Sequence, residues 1–263
     1  MTGELDFAVE LARNAGKLLL GHFSLSGNPA ARKKDRSVVT AADIEADQLI
    51  RNAILERYPD DGVLSEEIQT IFPENKRVVW VVDPLDGTTN FSLGLPIWGV
   101  SIARLVDGWP ETAVLYFPIL DELYTAKKGD GALCNGNKLV IQSPDKKNTS
   151  TFFACCSRAH RLYDIQVPYK PRILGSAAFN LCSVARGIAV LSFEAQPKLW
   201  DLAAAWLVAR EAGAINESLG GTLPFPPTPG VDYAEINFPT LTAPTNEYIQ
   251  KGYKYIRPKT GII

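Results

Sequence analysis

An unbroken apolar run, Val78–Val82, marks the middle of a predicted strand. A strand of β-branched and aromatic residues without polar interruptions is typical of a strand that is buried on both faces. Pro84 has no N–H to donate to a neighbouring strand, which predicts that the strand stops at Asp83 and that the chain turns there. We therefore expect a buried strand that delivers Asp83 and Asp86 into one tight turn.

Apolar residues spaced three and four positions apart predict the helices. Over Glu4–Leu20 they fall on one side of an amphipathic helix. Thr40 and Asp43 have the spacing of a capping box, so a second helix is expected to start there. The expected inner face of this second helix consists of Ala46, Leu49, Ile50 and Ala53. Further helices are predicted from Gly175 to about Arg186, over Leu202–Ala212 and from Asn246.

Short runs rich in β-branched and aromatic residues predict the remaining strands. They are Ile97–Leu105, Thr112–Phe117, Glu122–Ala126, Thr151–Cys156, Ile188–Phe193 and Thr240–Ala243. The first three predict an antiparallel sheet beside the central strand. The polar stretch Ser143–Pro171, in which we expect a single strand, is the predicted boundary between two halves. These are an N-terminal α+β half with the metal-binding motif, residues 1–145, and a C-terminal α/β half that completes the active site, residues 146–263.

Composition and charge argue against several classes of function. At 263 residues, with 46% hydrophobic and 21% charged residues, the chain is long enough to bury a sizeable core and resembles an ordinary globular enzyme. The formal charge of −2 gives no support to nucleic-acid binding, which requires a clustered basic surface. No apolar run approaches the roughly 20 residues of a membrane span, and the first residues lack the pattern of a signal peptide. We expect neither a nucleic-acid partner nor a membrane.

The cysteines and histidines change this picture little. The cysteines at positions 134, 155, 156 and 182 have no metal-ligand spacing, and we expect buried thiols in a reducing compartment, hence a cytoplasmic protein. His22 and His160 have no Cys, Asp or Ser at a recognisable spacing. Catalysis by a histidine dyad is therefore not expected.

The candidate chemistry lies in the carboxylates at the end of the central strand. Asp83 and Asp86, followed by Gly87 and the hydroxyls of Thr88 and Thr89, concentrate negative charge where loss of water makes that charge costly. A hard cation held by oxygen ligands is the usual compensation. For these two acids alone, a plain aspartate-rich turn is the alternative interpretation.

Other acidic residues also have an ordinary structural interpretation. Glu66 and Glu67 could form a hydrated surface pair. Asp201 could be the N-cap of the helix that follows it, and Asp43 is by itself only a residue of a helix first turn. Glu194 could be a surface acid at the end of a strand.

Two long motifs, more than 100 residues apart, resemble those of the inositol monophosphatase family. The first is Asp83-Pro-Leu-Asp-Gly-Thr-Thr-Asn-Phe91, which is similar without a gap to the central motif of that family. The second is Trp200-Asp-x-Ala-Ala, followed after six residues by Glu-Ala-Gly213. The resemblance covers nearly the whole chain. It implies an α+β fold, a layered αβαβα sandwich of helix pairs and sheets, as in inositol monophosphatase and fructose-1,6-bisphosphatase.

The resemblance also implies two or three Mg²⁺ ions per active site. One ion would use Glu66, Asp83 and the backbone carbonyl of Leu85. A second would use Asp83, Asp86 and Asp201, and a third, weaker site would depend on Glu66 and water. Oxygen ligands of this kind suit Mg²⁺. Lithium, which would displace a weakly held Mg²⁺, is the implied inhibitor.

The implied reaction is hydrolysis of a phosphate monoester by direct in-line attack of a metal-activated water. Thr88 and Glu66 would orient and deprotonate this water, and Asp43 would contact Thr88 and support it. No covalent phosphoenzyme is needed. The implied activity is that of an inositol-1-monophosphatase acting on a small phosphorylated substrate, and the implied assembly is a homodimer.

Substrate contacts are implied for five residues, namely Asp86, Gly87, Thr88, Ala177 and Glu194. Glu194 falls at the position where these phosphatases contact an inositol hydroxyl. Alternatives with the same fold are a histidinol-phosphatase, a fructose-1,6-bisphosphatase and a nucleotide 3′-phosphatase. A catalytically silent binding protein is a further alternative, but it predicts the loss of a metal ligand, and none is missing.

The chain departs from the family pattern at a few places. Ser65 replaces a glycine, and Val190 stands where the family commonly has an acidic residue. A helix of the family is expected to be reduced to about a dozen residues around Ser157–Val167, a segment that helps to shape the substrate pocket and the dimer contact. The phosphatases of the family also have a lysine near the active site, and the resemblance implies that either Lys33 or Lys34 takes its place here.

Overall fold

The structure is a computed structural model, and it describes residues 3–32, 38–142 and 151–259. Its helices are α1 (Glu4–His22), α2 (Ala41–Arg57), α3 (Thr88–Ser92), α4 (Ala159–Leu162), α5 (Ala177–Ala185), α6 (Leu199–Glu211) and α7 (Asn246–Tyr255). Its strands are β1 (Ala31–Arg32), β2 (Val38–Val39), β3 (Gly62–Ser65), β4 (Val78–Asp86), β5 (Gly99–Val106), β6 (Trp109–Phe117), β7 (Glu122–Lys127), β8 (Gly131–Cys134), β9 (Asn137–Leu139), β10 (Phe152–Cys155), β11 (Tyr163–Ile165), β12 (Pro171–Arg172), β13 (Ala189–Glu194), β14 (Ile215–Ser218), β15 (Thr240–Ala243) and β16 (Ile256–Pro258).

A seven-stranded sheet in the order β3-β4-β5-β6-β7-β8-β9 forms one layer. β3 runs parallel to β4, and all the other neighbouring strands are antiparallel. Trp80 and Val82 of β4 share a core cluster with α1 and α2, whereas Val79 and Val81 belong to a cluster with α6 on the opposite face. The prediction of a central strand that is buried on both faces is therefore confirmed.

The helices α5 and α6 lie between this sheet and a second sheet of five strands, in the order β12-β10-β13-β15-β14. Ala154 of the second sheet packs with Val184 of α5. Phe193 of the same sheet packs instead with Tyr248 and Ile249 of α7. Because side chains alternate along a strand, α5 and α7 cover opposite faces. The predicted αβαβα layering is confirmed.

The central strand does not end where proline predicted. β4 continues through Pro84 to Asp86, and its pairing with β5 shifts register between Asp83, opposite Ser101, and Asp86, opposite Gly99. Three residue steps on β4 therefore face two on β5, which is a β-bulge. A bulge tolerates the missing N–H of Pro84 and redirects the side chains around it.

The segment before α5 also differs from its prediction. Only four residues, those of α4, are helical, and Tyr163–Ile165 forms a strand that pairs antiparallel with Ile256–Pro258. The prediction of a single strand in this region was therefore wrong, because the partner strand lies about 90 residues away in the chain. β14 was not predicted either. The proposed boundary between residues 145 and 146 lies outside the described residues.

Candidate active site

The end of β4 borders a cavity of about 280 Å³. Seven of the residues for which a role was predicted line this cavity, and they come from three separate parts of the chain. They are Glu66, Asp83, Leu85, Asp86, Gly87, Thr88 and Asp201. Gly87 has a φ of 91°, and a Cβ atom there would lie 2.8 Å from the carbonyl oxygen of Ile97, so a side chain at this position would clash.

Three carboxylates form a compact acidic cluster in this cavity. One oxygen atom from each of Glu66, Asp83 and Asp201 lies within 4.8 Å of the others. Glu66 follows β3, Asp83 belongs to β4, and Asp201 lies in the first turn of α6. A group of carboxylates this close could hold a metal ion. Their roles as metal ligands stay predictions.

Burial and neighbouring negative charges destabilise the ionised forms of Asp83 and Asp201 in this cluster. Burial, and after it the negative charge of Glu66, raise the pKa of both Asp83 and Asp201. The backbone N–H of Lys198 donates to Asp201 Oδ2 at 2.7 Å, which lowers the pKa of Asp201 and offsets part of this effect. Asp201 is thus the third residue of α6 and bonds back to the N-cap, so its prediction as the N-cap itself was wrong.

Asp86 lines the same cavity and is hydrogen-bonded by the start of α5. Its carboxylate accepts hydrogen bonds from the hydroxyl of Ser176 and from the backbone N–H groups of Ala177 and Ala178, both at 3.2 Å. Burial raises the pKa of Asp86, and these three hydrogen bonds lower it in part. The N-terminus of a helix favours a negative charge, which adds to the effect of these bonds. Ala177, a predicted substrate contact, therefore uses its N–H to bind Asp86.

Thr88 and Asp43 contact each other as predicted. Thr88 Oγ1 lies 3.0 Å from Asp43 Oδ1 and 2.9 Å from the carbonyl oxygen of Leu85, so its hydroxyl can donate to either. Asp43 Oδ2 accepts from the backbone N–H and the hydroxyl of Thr40, the predicted capping box of α2. Burial raises the pKa of Asp43, while these hydrogen bonds lower it.

Asp47 is a buried acid beside the site that sequence reasoning missed. It lies one helical turn after Asp43 on α2, and its Oδ2 accepts the backbone N–H of Glu67 at 3.1 Å. Burial raises the pKa of its carboxyl group. The bond fixes the segment that carries Glu66. The spacing of four residues from Asp43 was the available signal, because residues four apart lie on the same face of a helix.

A second cavity, of about 180 Å³, adjoins the first and is lined by Glu194, Ala177 and Asn180 among others. Glu194 is the last residue of β13 and accepts a hydrogen bond from Asn180 Nδ2 at 2.7 Å. Burial raises the pKa of Glu194 to about 8. Both cavities are also lined by Asp201. Asn180 was missed, although it lies four residues after Ser176 at the start of the same predicted helix.

Several other predicted residues lie elsewhere or are not described. His22 pairs with Glu45 at the surface, at 3.0 Å. All four cysteines are free thiols. Lys33 and Lys34 lie outside the described residues. None of the helices in the described ranges has the length and the apolar character that crossing a membrane requires.

Comparison with known proteins identifies the family of this chain. The model of the inositol monophosphatase family matches residues 2–250. Inositol monophosphatase 1 from Sus scrofa is 32% identical in an alignment of 235 residues, and this alignment covers 82% of this chain and 84% of that protein. A histidinol-phosphatase from Chlorobaculum parvum is 40% identical over 151 residues, 57% of this chain and 58% of that protein.

A solved structure of the extragenic suppressor protein suhB from Bartonella henselae has the same fold. It superposes with a TM-score of 0.77 at 26% identity and covers 98% of each chain. The fold is therefore that of the inositol monophosphatase-type proteins, here with an acidic cluster at the end of the central strand. The chain belongs to the inositol monophosphatase family.

Proposed function

We propose that this protein is a Mg²⁺-dependent phosphate monoester hydrolase whose substrates are phosphorylated polyols, with inositol 1-phosphate as the first candidate. The observation that carries the proposal is the cluster of Glu66, Asp83 and Asp201 in one cavity with Thr88. The fold and the family membership support the reaction class, and the adjoining cavity with Glu194 and Asn180 supports a substrate with several hydroxyl groups.

The donor set fits Mg²⁺, since it consists of carboxylate oxygens and the oxygens cluster closely. The raised pKa values of Asp83 and Asp201 also support a bound cation at this cluster, because a nearby cation would favour the ionised forms of both residues. Glu66, Asp83 and Asp201 would hold the ion. When bound, Mg²⁺ supplies positive charge to the phosphate oxygens and lowers the pKa of water.

The residues of the chain itself then position the reactants. Thr88 donates its hydroxyl hydrogen towards Asp43 or Leu85, so its oxygen can accept a hydrogen bond from a water in the cavity and orient it. The water oxygen bonds to phosphorus, its proton passes to Glu66, and the ester bond to the alkoxide breaks. The alkoxide takes a proton from solvent. Asp43 restrains Thr88 and thus contributes to the orientation of the water.

Glu194 and Asn180 are suited to bind hydroxyl groups of the substrate. Asn180 Oδ1 is buried without a hydrogen-bond partner among the described residues, and an amide oxygen accepts hydrogen bonds. Histidinol phosphate is a second candidate substrate, favoured by the 40% identity to a histidinol-phosphatase. The buried carboxyl of Glu194 is the group that would meet its ammonium.

The remaining features of this proposal rest on the family resemblance. They are a total of two or three Mg²⁺ ions with Asp86 as an additional ligand, inhibition by lithium, and a homodimer. The four free thiols support a reducing compartment such as the cytoplasm. Light scattering on the purified protein measures the assembly directly, and a mass of twice 28.8 kDa is the expected result.

Phosphate release tests the proposal. The substrates are inositol 1-phosphate, histidinol phosphate, fructose 1,6-bisphosphate and adenosine 3′,5′-bisphosphate, each with Mg²⁺ and with EDTA. We expect Mg²⁺-dependent release, with the highest kcat/KM for a polyol or sugar phosphate. Equal release by the wild type and by Asp83→Asn would refute the enzymatic function. A clear preference for histidinol phosphate would transfer the substrate assignment to the second candidate.

A further inference from the structure

Part of the long loop between β14 and β15 lies against two segments that carry carboxylates of the acidic cluster. This part consists of residues 228–238, and we call it the bridging loop. The first of the two segments follows β3 and contains Glu66, and the second is the start of α6, which contains Asp201. The bridging loop therefore contacts both sides of the proposed cation site from outside.

The bridging loop is hydrogen-bonded to the segment that follows β3. The backbone N–H of Phe72 donates to the carbonyl oxygen of Val231 at 2.9 Å, and the N–H of Gly230 donates to the carbonyl oxygen of Phe72 at 2.9 Å. The N–H of Tyr233 donates to the carbonyl oxygen of Thr70, also at 2.9 Å. Three backbone hydrogen bonds thus fix this segment shortly after the glutamate that it carries.

The bridging loop is also hydrogen-bonded to the residues that begin α6. The N–H of Phe238 donates to the carbonyl oxygen of Pro197 at 3.0 Å, and Lys198 Nζ donates to the carbonyl oxygen of Ala234. The backbone N–H of the same lysine donates to Asp201 Oδ2 at 2.7 Å. Lys198 therefore connects the bridging loop, through its side chain, to a carboxylate of the acidic cluster, through its backbone.

Tyr233 stiffens the bridging loop between these two attachments. Its hydroxyl oxygen accepts the backbone N–H of Thr228 at 2.7 Å. Its ring stacks on Phe238 with centroids 6.0 Å apart and packs edge-on against Phe72 at 6.3 Å. The residue is 4% exposed and belongs to the same core cluster as Trp200 of α6. A buried tyrosine whose hydroxyl has a partner restrains the chain around it.

We propose that the bridging loop sets the distance between the carboxylates of Glu66 and Asp201 and thereby the affinity of the acidic cluster for a divalent cation. Lys198 and Tyr233 are positioning residues that act through this loop, because the loss of a residue that orients a ligand weakens metal binding. Among the described residues, neither of them lines the two cavities of the proposed active site. The inference rests on the proposed function, which assigns the acidic cluster to a cation.

Titration of the metal-free protein with Mn²⁺, followed by the EPR signal of the free ion, tests the proposal without turnover. Mn²⁺ takes the same oxygen ligands as Mg²⁺. Tyr233→Phe removes the acceptor of the Thr228 N–H without a change in charge, and we expect the dissociation constant for Mn²⁺ to rise about threefold. Tyr253→Phe is the matched control, because it removes a phenol that donates to the carbonyl oxygen of Ser218, outside the bridging loop.

Lys198→Met removes the hydrogen bond to Ala234 together with one positive charge. The loss of the positive charge alone would tighten the binding of Mn²⁺. The loss of the positioning bond should instead weaken it, about 10-fold. Lys198→Arg keeps both the charge and a donor and should restore most of the affinity. The sign of the change therefore separates positioning from charge.

Phosphate release provides a second readout. The Mg²⁺ concentration for half-maximal release should rise in Tyr233→Phe, whereas the KM for inositol 1-phosphate at saturating Mg²⁺ should not change. Unchanged Mn²⁺ binding in Tyr233→Phe, or tighter binding in Lys198→Met, would overturn the positioning role and leave the phosphatase intact. If the wild type releases no phosphate but both variants bind Mn²⁺ more weakly, the proposed function fails and the role of the bridging loop stands. A wild type that binds no Mn²⁺ would overturn both.

Discussion

Replacing Glu194 by glutamine should change how the stability of this protein depends on pH. Burial raises the pKa of Glu194 from 4.5 to about 8, with a smaller opposing effect of the hydrogen bond from Asn180. Glutamine has nearly the same shape, keeps an oxygen that can accept from Asn180, and does not titrate. The difference between wild type and Glu194→Gln therefore isolates the titration of this one carboxyl.

The sign follows from proton binding. Between about pH 4.5 and 8 the folded protein keeps the proton on Glu194, whereas the unfolded chain has lost it. The folded state thus binds more protons, and the free energy of unfolding falls as the pH rises through this range. The stabilisation is fully present below pH 4.5 and is lost as the pH approaches 8. At about 1.4 kcal/mol per pH unit, the upper bound is about 5 kcal/mol.

Urea unfolding followed by tryptophan fluorescence, from pH 5 to 9 in EDTA, measures this effect. The chelator removes any cation that the neighbouring carboxylates would bind. We expect the two proteins to be similar at pH 5, and Glu194→Gln to be more stable by about 2–5 kcal/mol at pH 8.5. Glu10→Gln, an exposed substitution on α1, is the control. A difference that stays constant from pH 5 to 9 would refute the reasoning.

Three further predictions concern the groups around the acidic cluster. Asp47→Ala removes the acceptor of the Glu67 N–H, so the free energy of unfolding in urea should fall by about 1–3 kcal/mol. Phosphate release by this variant should also depend less strongly on Mg²⁺. Thr88→Ala removes the hydroxyl that contacts Asp43, so kcat for phosphate release should fall about 100-fold, and Thr88→Ser should recover most of it. Asp83→Asn should abolish Mg²⁺-dependent phosphate release, yet stabilise the metal-free protein by about 1 kcal/mol, because it removes a carboxylate whose charge is disfavoured by burial and by repulsion from the neighbouring acids.

Each of these has a matched control in the chain. Glu45→Ala, exposed on the same helix, controls for Asp47→Ala, and equal effects of the two would contradict the role of Asp47. Thr89→Ala removes the neighbouring, exposed hydroxyl, and a loss of kcat equal to that of Thr88→Ala would exclude a specific role of Thr88. The control for Asp83→Asn is Asp107→Asn, which changes an aspartate that pairs with Arg77 at the surface. A less stable metal-free Asp83→Asn would disprove the repulsion argument.

The bulge at Pro84 illustrates the limit of local rules. A proline in a strand predicts an interruption, and the hydrogen-bonded pairing is indeed interrupted between Asp83 and Asp86. Whether the chain then turns away or resumes its pairing depends on the adjacent strand, which provides Gly99 opposite Asp86. Nothing within the motif specifies that partner. The same holds for Tyr163–Ile165, which became a strand because Ile256–Pro258 lies beside it.

The sequence by itself determined the positions of the main helices and strands, the capping box at Thr40 and the motif around Asp83, because periodicity, caps and motifs are properties of neighbouring residues. It also indicated the family and the layered fold through two long motifs. Only the tertiary structure decided that Glu66, Asp83 and Asp201 cluster while Asp86 bonds to the first turn of α5. The physical reason is that burial and charge interactions depend on distances between segments far apart in the chain, and local patterns contain no information about those distances.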